Sequence, residues 1–352
     1  MVREQVARLA ASGWRIHLCA ERLDVAWAAA LPITWSMMPA PWWRRAQIRE
    51  RFDRWASSQV RLHRPGLVVG HGDLSQQDVL HLHNLVHRAH EALHQRPLPT
   101  DDALGRHHAW QLTRPGLHVV ANSQLMADEL AGPLWQLRRD QVRVIHPGYD
   151  PARFAPQSAA ARSVHRQHLH LPADRLIVGL VASGDLHKRG ADLFLRALAL
   201  IPPVWSARLH AVIVGKPRDL QPYRALLPPA VPLAIPVTLL APRAAIGEVY
   251  HSLDLLVVPA RFEEFGMCVL EAAACRVPLV VSATTGAAPL VTAGGTILTD
   301  LEPQTIAAAI VQRLETMTPP HGDLSDLAWE AHVAQVAACY SGLLRRIEPP
   351  SR

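Results

Sequence analysis

Leu253-Asp254-Leu255-Leu256-Val257-Val258-Pro259-Ala260-Arg261-Phe262-Glu263-Glu264-Phe265-Gly266-Met267-Cys268-Val269-Leu270-Glu271-Ala272 runs from an apolar stretch through a Phe-Gly turn into helix-forming residues. The aliphatic start reads as a strand buried on both faces, as in parallel sheets. The segment from Met267 to about Ala274 reads as a helix. Strand, loop, helix in that order presents backbone N–H groups at the helix start, a site suited to a diphosphate. Glu271, about one turn in, can accept hydrogen bonds from ribose hydroxyls. Glu263, in the loop, can hold the hydroxyls of a sugar carried by the diphosphate. Two carboxylates eight positions apart are also a common surface pattern. The Glu-x-Phe-Gly before the helix and the Glu-Ala-Ala-Ala-x-x-x-Pro after it favour the site.

Outward from this stretch, apolar runs alternate with helical ones, the mark of an α/β fold with parallel sheets. Strands are expected at 14–20, 66–70, 79–83, 118–121 and 142–145, then at 176–182, 207–214, 253–259 and 278–282. Between the two sets, Pro147-Gly148-Tyr149-Asp150-Pro151-Ala152-Arg153-Phe154-Ala155-Pro156 reads as a linker. The expected organisation is a first domain over 1–158, a second over 159–325 and a final helical segment over 326–352. Residues 2–12 read as a helix with Gly13 leading into a strand. The strand and glycine-rich turn that normally open a Rossmann-like domain are not read ahead of them.

The 352 residues fit two domains of about 150 each. No apolar run reaches the roughly 18 residues that cross a bilayer, and Arg3 and Glu4 open the chain without a signal-peptide core. Cys19, Cys268, Cys275 and Cys339 are scattered, which suggests neither a disulfide framework nor a zinc site, and the cytoplasm is the expected compartment. The 20 histidines include one His-Glu-x-x-His, His90-Glu91-Ala92-Leu93-His94, at the end of the histidine-crowded run that begins at His81. The net charge of +6 is concentrated between Pro41 and Pro65, where seven arginines stand against Glu50 and Asp53 among Trp42, Trp43, Phe52 and Trp55. Ile48, Phe52 and Trp55 share a helical face. Such a helix can lie on an anionic membrane surface, or pack its stripe inward with a solvated basic face. No nucleic-acid-binding module accompanies the patch.

A second element is Ile177-Val178-Gly179-Leu180-Val181-Ala182-Ser183-Gly184-Asp185-Leu186-His187-Lys188-Arg189-Gly190-Ala191-Asp192: strand, small-residue loop, two cations, helix from about Ala191. A diphosphate leaving group needs positive charge against it, which lysine, arginine and helix N-termini supply without metal. Lys188 and Arg189 are placed for that task, although taken alone they are ordinary surface cations.

The pair Glu263 and Glu271 resembles the E-x7-E motif of retaining glycosyltransferases of the GT-B fold, family 4 (group 1). The Lys188 segment resembles the R-K-G-x-D element of the family's lipopolysaccharide-core glucosyltransferases, with the two cations exchanged, so which of them reaches the β-phosphate stays open. Ala121-Asn122-Ser123, Ile145–Phe154, Val212-Ile213-Val214-Gly215 and Thr284-Thr285-Gly286-Ala287-Ala288 match other family elements in order, and the resemblance covers about residues 2–315. His81-Leu82-His83-Asn84-Leu85-Val86-His87-Arg88-Ala89-His90-Glu91 resembles the first-domain segment that carries an H-R-A. His87, then His83, are candidates for contact with donor sugar or acceptor; packing is the other reading of so crowded a run. Val69-Gly70-His71-Gly72-Asp73 lacks the third glycine of a dinucleotide fingerprint and reads as a loop.

The resemblance implies two Rossmann-like domains facing across a cleft, the first without its first strand, and a Trp329–Ile347 helix crossing back onto the first domain. It implies a hexosyltransferase using a nucleotide-sugar, UDP-glucose above others, as substrate, with no cofactor and no metal. Lys188, Arg189, Glu263 and His87 would serve catalysis; Gly184, Phe265, Gly266, Met267, Cys268, Glu271 and Gly286 would bind the donor. The implied acceptor is a glycolipid or lipopolysaccharide-core sugar, at the inner face of the plasma membrane. A capsule or exopolysaccharide intermediate as acceptor, or a non-catalytic nucleotide-sugar binder, are the alternatives. One departure is Ala274-Cys275-Arg276-Val277-Pro278, where arginine replaces the family's glycine; a positive φ is not expected there and the turn is expected to adjust. Pro289 stands where an acidic residue often follows the Gly286 loop.

Overall fold

The computed structural model describes residues 1–352 apart from 40–47, 73, 183, 225–233, 291–293, 321 and 348–352. Trp42, Trp43, Arg44, Arg45, Asp73 and Ser183 therefore lie outside the described residues. The chain divides into two compact units. Unit 1 comprises residues 1–86, 98–148 and 325 onward; unit 2 comprises 87–97 and 149–324. Each is an α/β structure with parallel strands.

Unit 1 starts with a helix, Val2–Ala11, that turns at Gly13 (φ +91°). Strands β1 (His17–Ala20) and β2 (Thr34–Met37) form a parallel pair of their own. Strands β3 (Val69–Gly70), β4 (Val79–Leu82), β5 (His118–Ala121) and β6 (Val142–Val144) make a parallel sheet in sequential order. Val79 and Val120 from this sheet, with Ile145 just past β6, pack with Leu9 and with Val333, Val336, Tyr340 and Leu343 of the helix Trp329–Ile347. Burying each such side chain contributes about 1.5–3 kcal/mol. Ser123, fully buried, caps the helix Gln124–Ala131 by accepting from the Met126 amide at 3.1 Å. The helix Ile48–His63 holds the expected stripe, with Ile48, Phe52 and Trp55 half-buried and Arg49, Arg54, Arg61 and Arg64 exposed around it.

Unit 2 contains six parallel strands: β7 (Leu176–Val181), β8 (Leu209–Val214), β9 (Val237–Leu240), β10 (Leu255–Val258), β11 (Leu279–Ser282) and β12 (Gly295–Leu298). Their order across the sheet is β12-β11-β10-β7-β8-β9. This is the doubly wound arrangement, with the chain reversing direction of travel between neighbours β7 and β10. β10 follows the expected continuous apolar pattern, β8 does so but for the half-buried His210, and both are otherwise buried; Phe194, Leu198, Ile306 and Ile310 from two helices pack in the same core. Asp254, 5% exposed, locks the seam between β7 and β10. One of its oxygens accepts from the Ile177 amide at 2.7 Å and from Arg166 at 2.6 Å; Arg162 pairs with the other.

The Arg276 turn corrects the sequence reading. Arg276 takes φ +59°, so the turn keeps its left-handed residue without glycine. The Val277 amide bonds Ala272 O and the Arg276 amide bonds Ala273 O, both at 2.9 Å. That pair of bonds is the Schellman ending, which needs αL at this position. Two satisfied carbonyls and the burial of Val277 outweigh a strain of about 1 kcal/mol.

Candidate nucleotide-sugar site

Ligands of doubly wound sheets bind beyond the carboxyl ends of the strands, at the point where strand order reverses. In unit 2 that point is flanked by the loop after β7, Gly184–Gly190, and the loop after β10, Pro259–Gly266. Both stretches singled out in the sequence therefore meet at one place. Three contacts bring the loops together. Gly190, at φ +74°, caps the helix Ala191–Ala199, and a Cβ on it would lie 2.0 Å from the Pro259 carbonyl oxygen. The Arg261 amide donates to Lys188 O at 2.9 Å. The Arg261 guanidinium donates to both Asp192 oxygens at 2.8 Å and to His187 O at 2.7 Å. Burial raises the pKa of Asp192, but the hydrogen bonds and charge of Arg261 outweigh it and hold the carboxyl below its ordinary value.

The two cations are paired with the two glutamates of the Phe-Gly turn. Lys188 Nζ lies 2.7 Å from Glu264 Oε2, and Arg189 pairs with Glu263. Both carboxylates are nearly inaccessible, at 4% for Glu264 and 8% for Glu263. Burial lowers the Arg189 pKa, opposed by the charges of Glu264 and Asp185; a guanidinium stays protonated nonetheless. Phe262 lies beneath this arrangement, with Lys188 Nζ 5.5 Å and Arg88 Cζ 5.9 Å from its ring centroid. Glu263 also forms a parallel bridge with Thr285; its carbonyl accepts from the Gly286 amide at 2.9 Å, and Phe265 O accepts from Ala287 at 2.7 Å. The Gly286 loop thus braces the Phe-Gly turn from behind.

Gly266, at φ +97°, caps the helix Met267–Ala274. A Cβ on it would lie 2.9 Å from Thr285 Cγ2. The amides of Met267 and Cys268 belong to the first turn, whose N–H groups lack intrahelical acceptors. Burial pushes the Cys268 thiol up to about 11 against the nearby Arg189, so it is neutral at physiological pH and is no nucleophile. Glu271 is half-buried, and Tyr250 Oη donates to its Oε2 at 2.6 Å. Burial raises the Glu271 pKa, opposed by that bond and by Arg153.

The structure thus gathers Lys188, Arg189, Glu263, Phe265, Gly266, Met267, Cys268, Glu271 and Gly286 on the two loops, the bracing turn and the helix they lead to. Gly184 lies in the β7 loop with open space around it. His87, expected in the first domain, belongs to the segment 87–97 that groups with unit 2, on the helix whose Arg88 reaches Phe262. His83 lies elsewhere, in unit 1, its Nε2 3.0 Å from His71 Nδ1. Sequence reading missed Glu264, Tyr250 and the Arg261–Asp192 clamp. Glu264 carried a usable signal, a second charged residue in a turn flanked by two phenylalanines. Tyr250 carried none.

Residues 177–316 match the family described as Glycosyl transferases group 1. The D-inositol 3-phosphate glycosyltransferase of Stackebrandtia nassauensis is 31% identical over 223 residues, which span 59% of this chain and 48% of that protein. The chain spans about half the length of the curated relatives it matches. Among solved structures, WaaG, a glycosyltransferase involved in lipopolysaccharide biosynthesis, superposes with a TM-score of 0.73 at 18% identity, over 95% of this chain and 90% of that one. Anabaena Alr3699/HepE in complex with UDP-glucose gives a TM-score of 0.71 at 21% identity, over 97% and 94%.

Proposed function

We propose that this chain, whose residues 177–316 match the group 1 glycosyltransferases and whose fold is that of GT-B structures, transfers a hexose from a nucleoside-diphosphate sugar to a hydroxyl acceptor, with retention at the anomeric carbon and without metal. The observation that carries the proposal is the meeting of Lys188 and Arg189 with a helix N-terminus and Glu271 at the switch point of unit 2. UDP-glucose is the favoured donor, and the UDP-glucose complex of the HepE neighbour supports it.

The acceptor oxygen bonds to the anomeric carbon as the bond from that carbon to the phosphate oxygen breaks, on the same face. The acceptor proton passes to the departing phosphate. No enzymic nucleophile takes part, in contrast to a retaining glycosidase. Lys188, Arg189 and the Met267 and Cys268 amides meet the charge that develops on the diphosphate, a contribution of about 10²–10³ in rate for each well-placed donor. The pairing of each cation with a glutamate gives the site a second state. When Arg189 turns to phosphate, Glu263 is released to hold sugar hydroxyls; when Lys188 turns, Glu264 is released likewise. Glu271, with Oε2 held by Tyr250, offers Oε1 to the ribose. His87 is assigned to the sugar or acceptor.

The WaaG neighbour supports a lipopolysaccharide-core or lipid-linked sugar as acceptor. The exposed arginines of the helix Ile48–His63 suit a position at the inner face of the plasma membrane. No described helix is long and apolar enough to cross a membrane. The relatives named for D-inositol 3-phosphate favour a second reading, in which the acceptor is a polyol phosphate. Calorimetric titration with UDP, GDP, ADP and their glucose conjugates tests the donor assignment. UDP-glucose is expected to bind wild type and to lose at least tenfold in affinity with Glu271→Ala. A folded protein that binds none of them overturns the transferase reading.

A further inference from the structure

In unit 2 the helix Ala159–His168 packs against the helix Gly247–Ser252. His165 and His168, three apart, share a face of the first helix. Among the described residues, His165, His168 and Glu248 form a group whose ligand atoms all lie within 4.8 Å of one another. The chemistry of His165 is already arranged. Its Nε2 lies 2.7 Å from Gln157 Oε1. An amide oxygen only accepts, so Nε2 carries the proton and Nδ1 carries the lone pair. That Nδ1 is buried and has no hydrogen-bond partner. A second-shell oxygen that fixes the tautomer and bares the other nitrogen is how ligating histidines are held. Around the group, the His251 ring stacks on His165 at 5.5 Å and turns its own Nε2 to Ala155 O at 2.7 Å. Arg243 reaches Glu248 only at 3.9 Å, the outer limit of an ion pair.

We propose that His165 Nδ1, His168 and Glu248 bind a divalent transition-metal ion of the Zn²⁺ class, stapling the helix Ala159–His168 to the helix Gly247–Ser252. Two imidazoles and a carboxylate suit Zn²⁺, whereas Mg²⁺ and Ca²⁺ take oxygen ligands. Bonds of about 2.0–2.2 Å in tetrahedral geometry place donor atoms about 3.4 Å apart. His168 is exposed and can rotate to close that gap; water completes the sphere. The site stands apart from the transfer chemistry. It bears on it in one respect, which rests on the donor reading above: the stapled helix carries Tyr250, which holds Glu271.

The test needs no glycosyl transfer. Chelator-stripped protein is titrated with Zn²⁺ by calorimetry, and its melting temperature is followed, for wild type, His168→Ala, Glu248→Gln and, as a control for exposed histidines outside the site, His63→Ala. The expected result is one saturable Zn²⁺ per chain in wild type and control, with a rise in melting temperature. His168→Ala and Glu248→Gln should each weaken binding at least tenfold and abolish the rise, while circular dichroism shows both folded. Wild type and site variants binding Zn²⁺ alike, or a folded wild type with no saturable site, overturns the proposal.

Discussion

Tyr250 donates its phenolic hydrogen to Glu271 across 2.6 Å, from a wholly buried ring to the carboxylate one turn into the helix Met267–Ala274. Burial and the Glu271 charge raise the Tyr250 pKa well above its ordinary value, so the phenol remains a donor throughout the physiological range. Removing the hydroxyl frees the carboxylate to rotate. Tyr250→Phe is therefore expected to fold and to weaken UDP binding about tenfold, since a hydrogen bond to a charged group contributes about 1.5–3 kcal/mol. Calorimetry checks it; unchanged affinity would show that Glu271 needs no support.

The Lys188–Glu264 pair separates stability from chemistry. Lys188→Met leaves Glu264 buried without its cation, a loss of about 3–5 kcal/mol. Adding Glu264→Gln should recover much of that stability. Transfer should stay about 10²–10³ below wild type in the double variant, because the phosphate loses a cation either way. Chemical denaturation and initial rates measure the two quantities separately, and a double variant with restored rate would remove Lys188 from catalysis.

Two glycines in one loop should behave oppositely. Gly190→Ala places a methyl group against Pro259 O at a positive φ. It is expected to cost about 3 kcal/mol and to lower the melting temperature by roughly 6–12 °C. Gly184→Ala faces open space and should change stability by less than about 0.5 kcal/mol. Equal melting temperatures for the two would contradict the close approach of the loops.

Unit 1 should be acid-sensitive. Burial, with the His83 charge behind it, lowers His71 from 6.5 to about 4, and burial holds His81 well below its ordinary value. In this range the unfolded chain takes up protons before the folded one. The contribution is thus complete above pH 6.5 and lost as pH falls towards about 4. Melting temperatures between pH 7 and 4.5 should fall, and less steeply in His71→Gln. Parallel curves for the two proteins would place the sensitivity elsewhere.

Much of the fold was legible because the inner strands are apolar runs with turns at both ends. β7, β8, β10 and β11 fall inside the expected segments. β9 and β12 escaped notice because they are edge strands, short and half-exposed, and carry neither a continuous apolar run nor a clean alternation. β2 fails for the same reason. The loop cations and the glutamates stood out as charges in apolar surroundings. What they bond to did not, since Lys188 and Glu264 are 76 residues apart, and only the reversal of strand order brings them together. Arg276 shows the opposite failing: residue type alone argues against a positive φ, but hydrogen bonds formed by its neighbours decide it.

The seam between β7 and β10 rests on two register pairs, Val178 with Leu255 and Gly179 with Leu256, joined across more than seventy residues of intervening chain. Loop-closure entropy makes this the costliest pairing of the sheet, so it is expected to close after β7-β8-β9 and β10-β11-β12 have each found their local partners. The joint expected to form last in this half of the molecule is thus the one whose two loops would clasp a diphosphate. A ligand there acts on the folding equilibrium as a latch, slowing the first step of unfolding and protecting the β7 and β10 amides from hydrogen exchange more than those at the sheet edges.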